Sequence, residues 1–199
     1  MSTHCLICKE NIPDKSKGIY CHSDGYIENV GFILQAFYNT PEKVDALLAL
    51  GDISRLGYEI GDKMDFSKNM LDSEYYSEHE NQCVSYHRDR GEDFHQFEYS
   101  SIDRMIDRAG ETYNYVFKNG SWMVGILEYD KDENDVQLRP LSDVLKENSY
   151  INSPDFQKSL INDESISEAE RDAIVNTLAD VGVLHDEVNT DYSQEDVDR

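Results

Sequence analysis

The sequence predicts an α+β fold: a small antiparallel sheet, with a hairpin turned at Asn119-Gly120, packed against a helical hairpin and followed by a C-terminal helix and an acidic tail. Three observations predict it. Apolar residues recur at helical spacing between Tyr26 and Leu48, and they alternate at strand spacing on either side of Asn119-Gly120. The 199 residues, 39% of them hydrophobic, suit one domain with appendages and can bury a substantial core.

Taken in order, residues 1–16 read as a cysteine-containing knuckle and residues 17–22 as a short strand. Asp24-Gly25 turns the chain out of that strand, and Asp24 is expected to cap the helix that follows. In that helix Ile27, Val30, Leu34, Phe37 and Tyr38 form one stripe. Thr40 then caps a second helix with Pro41 at its first position, Val44, Leu47 and Leu48 turned inward and Gly51 beyond its end. Residues 52–56 read as a further helical turn, and 57–80 as a polar loop. Strands are expected at 83–88 and 94–99, joined by a turn at Arg90-Gly91-Glu92. Ser100 or Ser101 caps a short helix that Gly110 stops.

Asn119-Gly120 is the dipeptide that favours a type I′ turn, and a two-residue turn sets Phe117 opposite Trp122, Tyr115 opposite Val124 and Tyr113 opposite Ile126. One face of the hairpin is then continuously apolar. A short helix is expected at 140–148. Ser167 and Glu170 form a capping box ahead of Ile174, Val175, Leu178 and Val181, whose stripe would dock on the domain or on a second copy, giving a homodimer. The expected divisions are thus 1–16, a core domain at 17–150, a helical segment at 151–185 and a disordered acidic tail at 186–199.

Charge limits the function classes. Asp and Glu number 41 against 18 Lys and Arg, a net charge of −23, and residues 151–199 alone hold 13 acids and 3 bases. A molecule this acidic repels nucleic acid and anionic membranes and is drawn to basic clefts. No apolar run approaches the roughly 18 residues that span a bilayer, and no signal-peptide pattern opens the chain, so a cytoplasmic protein is expected. The runs containing Asp72, Glu74, Glu78 and Glu80, and then Asp130, Asp132, Glu133 and Asp135, are candidate partner-binding residues that would imitate the phosphate spacing of a nucleic acid.

Four cysteines in a cytosolic chain point to thiols or metal ligands rather than disulfides. Cys5 and Cys8 form a C-x-x-C, and Cys21 with His22 or Cys83 would complete a tetrahedral Zn²⁺ site. Neighbours on a strand point to opposite faces, which opposes Cys21 and His22 sharing one ion. His87, Arg88 and Arg90 are the most positive point of the chain and a candidate anion site; the structural alternative is a turn whose arginines pair with nearby carboxylates. No phosphate loop, H-E-x-x-H, EF-hand or G-x-S-x-G motif occurs, which argues against the familiar enzyme classes.

The segment 18–60, with Tyr20-Cys21-His22, Asp24-Gly25-Tyr26 and Leu50-Gly51-Asp52-Ile53-Ser54, resembles a group of small phage, prophage and plasmid proteins. Tyr86-His87-Arg88-Asp89-Arg90-Gly91-Glu92 and the hairpin up to Trp122 are similar to the same group. Ser23 stands where the group has a bulky aromatic residue, and the N-terminal C-x-x-C is an addition. The resemblance implies a mobile-element setting and supplies no reaction. The expectation is therefore an acidic binding protein that inhibits a basic, nucleic-acid-binding host defence protein, a CRISPR effector or restriction enzyme, by filling its cleft. The alternatives are a small enzyme acting on a nucleotide or defence signal through His87, Asp89, Cys21 and His22, and a zinc-stabilised structural module.

Overall fold

Cys5, Leu6, Ile7 and Cys8 are all buried, because the strand they form, β1 (Cys5–Lys9), runs through the interior of a mixed sheet with packing on both faces. A computed structural model describes residues 2–66, 68, 75, 77, 79–127, 136–186 and 188. The further strands are β2 (Ser16–Cys21), β3 (Ile53–Arg55), β4 (Val84–Ser85), β5 (Phe97–Tyr99), β6 (Tyr113–Lys118), β7 (Ser121–Ile126) and β8 (Arg139–Pro140). Their order is β4-β3-β2-β1-β6-β7-β8, with β5 also paired to β2. The helices are α1 (Phe32–Phe37), α2 (Pro41–Leu48), α3 (Tyr86–Arg90), α4 (Ile102–Ala109), α5 (Leu141–Glu147), α6 (Pro154–Ile161) and α7 (Glu168–Val181). An α+β fold is what the sequence predicts. The sheet, however, is mixed, since β1 runs parallel to β6 and β2 parallel to β3.

The larger core lies on one face. Cys5, Ile7, Ile19, Cys21, Tyr115, Phe117, Trp122 and Val124 meet the apolar sides of α1, α2, α5 and α7 there. On the other face Leu6, Cys8 and Val116 meet Ile102, Met105 and Ile106 of α4. Burial on both faces explains why β1 shows no apolar–polar alternation and carries no strand signature of its own. The hairpin register is the predicted one, Phe117 with Trp122, Tyr115 with Val124 and Tyr113 with Ile126. Asn119 and Gly120 both take positive φ, 53° and 80°, as a type I′ turn requires.

Several elements differ from the sequence reading for local reasons. The first helix opens as a π-helical turn, Ile27–Gly31, with no side-chain cap; Asp24 instead takes φ 55° and accepts a hydrogen bond from the Tyr26 hydroxyl. Residues 53–55 form a strand because Ile53 pairs with Cys21, not a helical turn. Only Val84–Ser85 of the expected 83–88 strand is extended; Ser85 then caps α3 by accepting from the Arg88 N–H, and Gly91 ends it at φ 73°. Helix α6 is absent from the sequence reading, although Ser153 and Pro154 at its start repeat the Thr40-Pro41 arrangement. The α7 stripe docks on its own domain, with Ile174 and Leu178 fully buried. Among the described residues no helix is long and apolar enough to cross a membrane.

The outer edge of β2 is shared by β3 at Cys21 and β5 at Ser16–Gly18. Asp52 closes the gap between them. Its Oδ1 accepts the Tyr20 N–H at 2.8 Å, its own N–H donates to the His95 carbonyl, and its carbonyl accepts the Tyr86 N–H.

Candidate functional site

The zinc candidates are distributed over both faces of the sheet. Cys5 and Cys21 are register partners on the face of the larger core, where their thiols interact, while Cys8 belongs to the α4 face and donates to the Tyr115 carbonyl at 3.4 Å. Cys8 lies three positions after Cys5, and strand geometry makes an odd step a change of face. His22 stacks on His4 with ring centroids 4.6 Å apart and meets the Tyr20 hydroxyl at 3.0 Å, on the face away from Cys21. Cys83 is also buried, its sulfur 3.2 Å from the Tyr38 hydroxyl. Burial pushes the thiols of Cys5, Cys8 and Cys83 above the ordinary value, so they stay protonated at neutral pH. Among the described residues no three His, Cys, Asp or Glu side chains are grouped to hold a metal ion.

The basic run at 87–90 also separates. Arg88 is bound bidentately to Asp89 at 2.8 and 3.0 Å and donates to the carbonyls of Ile60, Gly61 and Cys83. Asp89, whose side chain is fully buried, also accepts from the N–H groups of Met64 and Ser85. This pair fastens the 57–64 loop to α3. His87 contacts the Glu92 carbonyl at the surface, and Arg90 lies over the rings of Phe66 and Tyr86 with one N–H on the Ser54 hydroxyl. The three cationic side chains therefore serve three different contacts.

Of the acidic candidates, Glu80 is half-buried and lines a crevice of about 170 Å³ with Asp24, Asn29 and Tyr58. Asp72, Glu74, Glu78, Asp130, Asp132, Glu133 and Asp135 lie outside the described residues. So does nearly all of the 186–199 tail. The acidity that the structure does place is concentrated elsewhere. Across residues 151–186 the acids are Asp155, Asp163, Glu164, Glu168, Glu170, Asp172, Asp180 and Asp186, and the bases are Lys158 and Arg171. Arg171 is turned inward to the carbonyls of Ile161 and Asp163. Along α7, Glu168, Asp172, Asn176 and Asp180 are all exposed at a four-residue spacing, so they form one row with steps of about 6 Å. The field of this layer reaches neighbouring groups: Tyr58 is pushed up to about 12, first by burial and then by Asp163 and Glu170.

No family model, curated protein or solved structure matches the chain.

A second polar group on the α4 face escaped the sequence reading. His4, Tyr20 and His22 share that face, with Glu111 4.0 Å from the His4 ring and its carboxyl raised by burial. Further along it, His95 Nδ1 meets Asp52 Oδ2 at 2.7 Å. The signal for the first cluster was period two: once residues 5–9 are a strand, His4 falls beside His22. No local signal links Asp52 to His95.

Proposed function

We propose that this chain is an acidic binding protein of a mobile genetic element, acting in the host cytoplasm, that inhibits a nucleic-acid-binding defence protein such as a CRISPR effector or restriction enzyme by occupying its basic cleft. The observation that supports this reading is the exposed row of Glu168, Asp172 and Asp180 on α7, within a layer where carboxylates far outnumber cations. Helix α7 is anchored by a capping box and by buried Ile174, Leu178 and Val181. Its carboxylates therefore stand at fixed intervals and lose little freedom on docking. A groove lined by Lys and Arg for phosphates would accept such a row, releasing counterions as it did so.

The test compares two variants of equal net charge. One carries Glu168→Gln, Asp172→Asn and Asp180→Asn; the other carries Asp103→Asn, Asp107→Asn and Asp143→Asn at exposed positions elsewhere. In pull-downs from host lysate, competed with duplex DNA, the first is expected to lose its partner and the second to retain it. Capture should also fall steeply as salt rises. Equal losses in both variants, or capture unchanged at about 1 M salt, would remove the reading.

A further inference from the structure

On the sheet face away from α7, β5 and α4 border a cleft of about 610 Å³ lined by His95, Gln96, Phe97, Glu98, Tyr99 and Arg108. Its volume lies inside the range of small-molecule sites, about 300–1,000 Å³. The chemistry of its walls is directional. Phe97 and Tyr99, two apart on β5, both lean toward the α4 core and leave their rings partly open. Glu98, between them, leaves the strand on the opposite face in register with Lys17 and contributes to the cleft only at its rim.

Arg108 brings an exposed guanidinium from the last turn of α4, with no ion pair or hydrogen bond among the described residues. His95 stands edge-on to Phe97, with ring centroids 5.1 Å apart. Its Nδ1 is taken by Asp52, which is itself fixed by the Tyr20 N–H. The ring is thereby oriented, and Nε2 is the nitrogen left for a ligand. An aromatic wall, an oriented imidazole and a planar cation together match a flat heterocycle that carries an anion.

We propose that this cleft binds a mononucleotide, with its base on Phe97 and Tyr99, its phosphate on Arg108 and a polar group of the base or sugar at His95 Nε2. The net charge of −23 opposes anions in general, but the acidic α7 layer lies across the sheet and fields beyond about 8 Å are screened at physiological salt. A single phosphate is tolerated under those conditions, and a polyanionic strand is repelled.

Calorimetric titration of the full chain with adenosine 5′-monophosphate tests this, with adenosine and inorganic phosphate as separate arms. The mononucleotide is expected to bind more tightly than either part. Arg108→Gln should weaken it about tenfold, equivalent to about 1.4 kcal/mol, and leave adenosine unchanged. Tyr99→Leu should weaken both nucleotide and nucleoside, and Tyr99→Phe neither. Arg108 is exposed, so its replacement leaves the fold intact and the change in binding is read directly. The proposal is overturned by no binding at millimolar nucleotide, by phosphate or adenosine alone binding as tightly, by an effect of Arg108→Gln within about twofold, or by tighter binding of a single-stranded oligonucleotide.

Discussion

Arg88 and Asp89 look like surface charges in the sequence and act as an internal fastening in the fold. The guanidinium spans Asp89 and three loop carbonyls, and the carboxylate gathers two further backbone N–H groups. Removing one member leaves the other charge buried without its counter-ion, which in such settings costs about 3–5 kcal/mol. Asp89→Ala is therefore expected to lower stability by that order in urea titrations at neutral pH. A loss below about 1 kcal/mol, the scale of an exposed ion pair, would show that the pair does not hold the loop in solution. The same reasoning explains why His87, Arg88 and Arg90 do not form one anion site: each side chain already has a separate neighbour to satisfy.

Elements whose signals are local were legible, and elements held by distant partners were not. Thr40 before Pro41, Ser101 before α4, Ser167 with Glu170, and Asn119-Gly120 each act within a few residues, and each marks a boundary the structure keeps. Strand β1 has no such signal, because its identity depends on pairing with β6 more than a hundred positions along the chain. Three-residue β3 is likewise defined by β2. The candidate surfaces divide in the same way: the i, i+4 spacing on α7 is local, while the Asp52–His95 contact joins residues 43 apart. For α7 the capping box makes a quantitative expectation. Ser167→Ala should cost about 1 kcal/mol, seen as a lowered unfolding midpoint, and no change at all would mean that tertiary packing alone holds the helix.

At the scale of the whole molecule, the sheet is divided into a first half, β2 to β5, and a second half, β6 to β8, with β1 as the strand that bonds to both. Deleting residues 2–9 is expected to abolish cooperative unfolding and the near-UV signal of Trp122, since it removes Leu6, Ile7 and two cysteines from both cores at once. A truncated chain that still unfolds in a single sharp transition would show that the two halves can associate without their bridge.

The central position of β1 also sets a timetable for synthesis. β1 is synthesised more than a hundred residues ahead of β6, so its second edge stays uncovered until the β6–β7 hairpin emerges. Nascent chains arrested before residue 113 thus display an open strand edge rich in Leu, Ile and Cys, the kind of surface that chaperones recognise and that drives premature self-association.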